Sequence, residues 1–246
     1  MRKAFNLPIT WELRKITLYF VFTIKALRKF KKISVLSNAF SDFPIWWKHT
    51  QRHLNPLDYD RPWITFGAKK KLDSLLNNNM HVFEYGAGCS TLYFSRRVKT
   101  VYSVENNKEW FEFLNKYIKK NCIDNVNIRL VEGVPTNGIH TIYSSLSLDY
   151  KNTNFEDYVK VIDIFPDRLF DIILIDGRAR AGCIKHAVAK LKKGGYLIVD
   201  NSERKEYFRG NDYLFNPLQW SSCTFIGAIP FAFEFSQTSF LKKNTD

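Results

Sequence analysis

Residues 81–105, HVFEYGAGCSTLYFSRRVKTVYSVE, constrain the fold more than any other part of the chain. Val82, Phe83 and Tyr85 form a short apolar run of the kind buried on both faces of a sheet. Gly86-Ala87-Gly88 turns the chain, because glycine reaches positive φ and leaves bare backbone for a ligand. Cys89-Ser90-Thr91 opens a helix, with Ser90 or Thr91 as its cap. Residues 100–104 alternate and carry β-branched side chains, so they predict the next strand. Glu105 closes that strand 17 residues after Gly88, where an acid can accept hydrogen bonds from a ribose diol. Strand, glycine turn, helix and strand make a βαβ unit.

The dinucleotide fingerprint G-x-G-x-x-G is not met, since Thr91 stands where its third glycine belongs. The stretch resembles instead the E-x-G-x-G motif of the class I S-adenosylmethionine (SAM)-dependent methyltransferases. The resemblance implies that Glu84 lies near the methionine end of SAM and that Gly86 and Gly88 pass under its sugar and methionine. It also implies that Glu105 holds the ribose hydroxyls. Tyr85, Ala87, Ser90, Thr91, Asn106 and Asp176 join them as cofactor candidates, and Glu132, after the third strand, as a neighbour of the adenine. The implied fold is α/β and Rossmann-like: seven strands, mostly parallel, helices on both faces and an antiparallel last strand inserted before the sixth. The resemblance covers roughly residues 60–246.

With 246 residues and 45% hydrophobic side chains, the chain can bury one substantial core. Its net charge of +13 is unevenly spread. Residues 1–52 carry 11 Lys/Arg against 2 Asp/Glu, and the other 194 carry 26 against 22. This divides the chain into a basic N-terminal helical extension, 1–52, and a methyltransferase domain, 53–246. Four cysteines without a C-x-x-C pair argue against zinc or disulfides and for a reducing, cytoplasmic compartment. Residues 16–26 are apolar but too short to span a bilayer, and basic residues follow where a signal peptide would end. Three readings stay open for the extension. It packs on the domain or forms a homodimer; residues 14–32 lie on an anionic membrane at the cytoplasmic face; or it meets nucleic acid, which the lack of any recognised module disfavours.

Residues 41–62 read as an irregular link, with Trp46, Trp47 and Trp63 over one end of the core. Residues 65–76 and 108–120 are helical, and 126–131 form the third strand. Residues 134–168, which include Tyr143, Tyr150, Tyr158 and His140, form a long lid with a helix over 154–164. Residues 170–177, FDIILIDG, are the fourth strand, and Asp176 at its end faces the cleft. A helix over 181–191, a turn at 192–195 and a fifth strand at 196–199 follow, ending on Asp200-Asn201. Residues 225–229 and 238–241 supply the last two strands.

Asp176, Asp200 and Asn201 at neighbouring strand ends make an oxygen-rich set suited to Mg²⁺, Ca²⁺ or Mn²⁺, similar to that of the divalent-metal O-methyltransferases. The string I-D-G-R-x-R, with D-N-S-E-R later, more closely resembles bacterial methyltransferases of which some are associated with surface-sugar pathways. In that case Asp176 is the general base, and Arg178, Arg180 and Arg204 clamp an anionic group of the acceptor. A third reading makes them strand-end caps. The activity implied is methyl transfer from SAM to an oxygen of a small molecule or glycan intermediate, with Asp176 and Arg178 as catalytic candidates. The alternatives are a SAM-binding scaffold without catalysis and a nucleic-acid methyltransferase, the latter disfavoured because IDGR replaces the N-P-P-Y type motif.

Overall fold

The structure, a computed structural model, describes residues 8–50, 61–138 and 141–245. Its strands are β1 (His81–Tyr85), β2 (Thr100–Glu105), β3 (Val126–Leu130), β4 (Val134–Pro135), β5 (Thr153–Asn154), β6 (Phe170–Ile175), β7 (Leu191–Asp200), β8 (Trp220–Ala228) and β9 (Phe235–Lys243). Seven of them form one sheet in the order β3-β2-β1-β6-β7-β9-β8, while β4 and β5 pair as a small hairpin. The pairings among β3, β2, β1, β6 and β7 are parallel, and β9 runs antiparallel to both β7 and β8. This is the seven-stranded arrangement expected from the sequence. The order reverses between β1 and β6, so their carboxyl ends flank the crevice where open α/β sheets hold ligands.

The helices are α1 (Pro8–Phe30), α2 (Ser34–His49), α3 (Phe66–Asp73), α4 (Cys89–Ser95), α5 (Lys108–Lys120), α6 (Glu156–Lys160) and α7 (Arg180–Lys190). Strand periodicity divides the core between them. Phe83, Tyr85, Ile173, Ile175, Leu197 and Val199 pack with Tyr158 of α6 and Cys183 and Ile184 of α7. Val82, Ile172, Leu174 and Ile198 face the other way, onto Ala68 and Leu72 of α3 and Tyr93 and Phe94 of α4. Caps fix the helix starts: Thr65 Oγ1 accepts from Ala68 N at 3.3 Å, and Asn107 Oδ1 from Trp110 N at 2.8 Å.

The N-terminal helices are built onto the sheet edge. Tyr19, Ala26, Val35, Ala39 and Trp46 are buried with Ile226, Ala228 and Phe235. One turn apart on α2, Asn38 Nδ2 donates to Ile226 O at 2.6 Å and Asp42 Oδ2 accepts from Ala228 N at 3.1 Å. The edge strand β8 thus finds side-chain partners for a carbonyl and an amide it would otherwise leave open. Burial raises the Asp42 pKa to about 6, against the Ala228 amide that lowers it. The boundary placed between Arg52 and His53 lies outside the described residues, as does His140.

Several local expectations are corrected. Residues 41–49, read as an irregular link, continue α2 with Pro44 inside the helix. Proline removes one intrahelical bond, to the carbonyl of Phe40, but both residues lie on the exposed side where water can replace it. Trp46 is buried against the sheet edge, and its Nε1 donates to Ala232 O at 2.8 Å. The turn at 192–195 is instead a bulge within β7: Leu191 pairs with Phe170, and pairing resumes at Tyr196 with Ile172. Gly194, at φ +79, takes the conformation this detour needs. The helix placed over 154–164 shortens to α6 followed by a 3-10 turn at Val161–Ile164. The last two strands extend well beyond 225–229 and 238–241, because β8 and β9 pair along nine residues each.

Candidate functional site

Gly86 follows β1 with φ +96, a conformation that favours glycine. A Cβ there would meet Gly177 Cα at 3.1 Å and the Asp176 carbonyl oxygen at 3.2 Å. The ends of β1 and β6 are this close because Asp176 N donates to Tyr85 O at 3.0 Å. Gly88 differs. Its φ of 178 suits any residue, and a Cβ there would approach only the Trp110 ring, at 3.9 Å. The lack of a side chain at Gly88 therefore leaves room rather than relieving strain.

Glu105 binds this turn to the loop after β2. Its Oε2 accepts from Ala87 N at 3.1 Å, and its Oε1 from Asn106 N at 2.8 Å and Asn107 N at 2.7 Å. Burial raises its pKa, opposed by those three amides and by the Arg178 charge. A carboxylate offers about four acceptor positions, so capacity for a ligand hydroxyl remains on Oε2. Trp110 of α5 adds a wall, its Nε1 donating to Ala87 O at 2.7 Å. Trp63, 45% exposed and 5.6 Å from the Phe231 ring, borders the same space.

These elements enclose a cleft of about 450 Å³, lined by residues 86–90, 105–107 and 176–178 with Trp63 and Trp110. Such a volume suits a nucleoside-sized ligand. Of the expected cofactor residues, Gly86, Ala87, Gly88, Ser90, Glu105, Asn106 and Asp176 line it. Glu84, Tyr85, Thr91 and Glu132 do not. Tyr85 turns into the core and donates its hydroxyl to Val159 O at 2.6 Å. Thr91 is buried, its Oγ1 accepting from Gly88 N at 2.9 Å to fix the start of α4. Glu132 is exposed. Glu84 lies fully buried behind the wall, where Ser90 Oγ donates to its Oε1 at 2.8 Å and Oε2 has no hydrogen-bond partner. Burial pushes its pKa up to about 8, against the hydroxyl donors around it. Trp63, Asn107 and Trp110 also line the cleft, and the sequence reading missed them as site residues. Of these signals only Asn107, directly after Glu105-Asn106, was visible in the chain order.

Asp176 and Arg178 project from the end of β6. Burial raises the Asp176 pKa, opposed first by the charges of Arg180 and Arg178. Asp176 Oδ1 accepts from Arg180 Nη2 at 2.9 Å, and about a quarter of the side chain (26%) remains exposed. The Arg178 guanidinium lies 4.7 Å above the Tyr150 ring, and Asn106 Nδ2 donates to the Tyr150 hydroxyl at 3.2 Å. Tyr150 thereby fastens the 134–168 segment to two residues of the cleft.

The geometry does not fit a divalent metal. Arg180 is buried with its guanidinium between the ends of β6 and β7. Its Nε donates to Gly177 O at 3.1 Å, Nη2 to Asp176 O at 3.1 Å as well as to Oδ1, and Nη1 to Asp200 O. A fixed positive charge already occupies the place between the two acids. Asp200 faces β9, its Oδ1 accepting from Thr238 Oγ1 at 2.7 Å, and Asn201 Nδ2 donates to Ser236 Oγ at 2.8 Å. Burial, with the Asp176 charge second, lifts the Asp200 pKa to about 7. Among the described residues no group of three His, Cys, Asp or Glu could hold a metal ion. Arg204 turns away too, donating to the Tyr207 hydroxyl at 2.9 Å.

No protein-family model and no curated protein matches the sequence. Solved structures do. A protein from Corynebacterium glutamicum aligns over 85% of this chain and 99% of its own, at TM-score 0.57 and 11% identity. An rRNA methylase from Streptococcus thermophilus aligns over 72% and 96%, at TM-score 0.52 and 12% identity. A candidate methyltransferase from Streptococcus mutans, in complex with SAH, aligns over 70% and 94%, at TM-score 0.50 and 12% identity. At such identities the likeness is one of architecture. With its strand order and its glycine turn beside an acid-ended second strand, the chain has the fold of the class I SAM-dependent methyltransferases.

Proposed function

We propose that this protein transfers the methyl group of SAM to an oxygen of a small molecule or glycan intermediate. The observation that carries the reading is Glu105: a buried carboxylate at the end of β2, lining the cleft beside bare glycine backbone. Ribose hydroxyls would be accepted at its Oε2, adenine would lie along Trp110, and the methionine end would run past Gly86 and Gly88 toward Asp176. When bound, SAM supplies an electrophilic methyl on a sulfonium that is already a good leaving group.

The chain's own residues have three tasks: holding the acceptor in line, keeping water out and receiving a proton. Trp63 and Trp110 form the apolar walls. Asp176 receives the hydroxyl proton of the acceptor as its oxygen takes the methyl. Burial raises the Asp176 pKa toward a working base, and Arg180 fixes the carboxylate's orientation. Arg178, held on Tyr150, presents a cation to an anionic acceptor group.

The test is calorimetric titration of the purified protein with SAM and, in parallel, with NAD. SAM is expected to bind, with affinity lost in Glu105→Ala and weakened in Glu105→Gln. The second variant keeps the Asn106 and Asn107 amides paired through its single carbonyl oxygen while losing the second, charged acceptor that receives the Ala87 amide. NAD binding without any response to SAM would overturn the proposal.

A further inference from the structure

The outward face of α1 is a surface that the proposed methyl transfer leaves unused. Helical periodicity puts Lys15, Tyr19, Thr23 and Ala26 on one side, all buried. The opposite side carries Leu13, Phe20, Val21 and Ile24, of which Phe20 and Ile24 are each 51% exposed. Arg14, Lys25 and Arg28 flank that stripe, and Lys31 and Lys32 continue it at the turn into α2, where Ile33 and Phe40 are also exposed. Large apolar side chains on a soluble helix normally face inward, so a stripe of them in water marks a docking surface.

Charge decides among the occupants. Residues 8–50 hold eight Lys/Arg and two Asp/Glu. Of the two acids, Asp42 is buried against β8, and Glu12 lies 3.6 Å from Lys15. The outward face therefore presents apolar and basic groups; the half-exposed Glu12 lies beside the buried Lys15 and not on that stripe, so two-fold self-association through it would bring like charges together. A nucleic acid would meet the cations but leave Phe20 and Ile24 without an apolar partner. An anionic bilayer surface satisfies both, taking the apolar stripe at the acyl boundary and the cations at the phosphates. No helix among the described residues is long and apolar enough to cross a membrane.

We infer that the protein docks on anionic membrane surfaces through the outward face of α1, lying in the interface rather than spanning it. The helix is fastened to the catalytic side. Lys29 Nζ lies 2.7 Å from Glu203 Oε1, and Glu203 follows the carboxyl end of β7 by three residues. Docking through α1 would therefore bring the membrane to the edge of the sheet on which the cleft opens. The inference does not depend on methyl transfer.

The experiment is co-sedimentation of the full chain with vesicles of phosphatidylcholine alone or mixed with phosphatidylserine, over a salt series. Binding is expected on the mixed vesicles, falling steeply with salt, and little on phosphatidylcholine. Arg28→Ala/Lys31→Ala/Lys32→Ala should weaken it by about fivefold per residue. Phe20→Ser/Ile24→Ser, with the charge intact, should weaken it by about tenfold or more. Both variants alter exposed side chains, and an unchanged melting temperature would establish that they remain folded. Failure to bind the mixed vesicles would overturn the inference, as would equal binding by parent and both variants. A dimer in sedimentation velocity that the Phe20/Ile24 variant dissociates would assign the face to a second copy. Salt-sensitive RNA binding without vesicle binding would assign it to nucleic acid.

Discussion

Gly177 is the residue at which the packing of the cleft can be tested most sharply. A Cβ added there would lie 1.9 Å from the Tyr158 hydroxyl oxygen and 3.0 Å from both Tyr158 Cζ and the Tyr85 carbonyl carbon. Ordinary carbon–oxygen contact begins beyond about 3 Å, so the overlap exceeds an ångström. Neither partner can retreat easily. Tyr158 is fully buried, its ring 5.6 Å from that of Tyr85 and 5.9 Å from that of Phe155. The Tyr85 atom is strand backbone. Overpacking of this severity belongs at the upper end of the usual range, about 3 kcal/mol. For a chain of this length, that loss lowers the melting temperature by about 6–12 °C. Gly177→Ala should show this shift by circular dichroism at matched concentration. Tyr158→Phe removes the overlapping oxygen and leaves only the 3.0 Å contacts, which need shifts of a few tenths of an ångström. The double variant should therefore recover at least about 1 kcal/mol relative to the sum of the single losses. A Gly177→Ala protein that melts with the parent, or losses that merely add, would refute the reasoning.

On the proposed function, Asp176→Asn keeps an oxygen for Arg180 but removes the carboxylate proposed as base. Methyl transfer, followed by SAH release, should fall about 10²–10⁴-fold while SAM still binds. Glu84 should contribute to the pH dependence of stability, alongside Asp200 and Asp42, whose pKa values are also raised by burial. Its folded pKa of about 8 lies above the ordinary 4.5, so its contribution is complete below 4.5 and is lost as pH rises through about 8. That loss is worth about 4–5 kcal/mol. Denaturant unfolding should show stability falling across this window in the parent, and a flatter profile in Glu84→Gln. Trp46→Ala should cost about 3–5 kcal/mol and detach α2 from β8. Urea titration with far-ultraviolet detection measures this, and a loss below about 1 kcal/mol would argue against the N-terminal helices being part of the core.

What the sequence disclosed divides along physical lines. The strands at 81–85, 100–105 and 170–175, the glycine turn and Glu105 were legible because their information is local. An apolar run bounded by glycine and an acid needs no distant partner to be recognised. Trp63 and Trp110 were not legible as cleft walls, since an aromatic side chain in a link or on an amphipathic helix has the same pattern whether it meets core or ligand. Glu84 was placed near the cofactor by resemblance alone; its neighbours along β1 gave no sign that Ser90 would close over it. The role of Asn38 and Asp42 was equally hidden. Their partners on β8 lie 188 and 186 residues away, and only the sheet's edge position makes two polar residues one turn apart into substitutes for a neighbouring strand.

The acids at the two strand ends show how little residue type alone decides. Asp176, Asp200 and Asn201 are donors that a divalent cation would accept, yet the charge that neutralises them is carried by the chain itself. Arg180 lies four residues after Asp176, and the left-handed turn at Ala179, φ +45, starts α7 so that its first residue points back beneath β6. There its guanidinium donates to three backbone carbonyls, two just past the end of β6 and one at the end of β7, and to one carboxylate oxygen. A lysine has no planar fork to divide among such partners. The same contacts leave Arg180 fully committed, so it cannot also clamp an acceptor. Under the proposed function that role would fall to Arg178, on the cleft wall and braced on Tyr150, and selectivity for the acceptor should therefore respond to Arg178→Ala far more than to any change at Arg204.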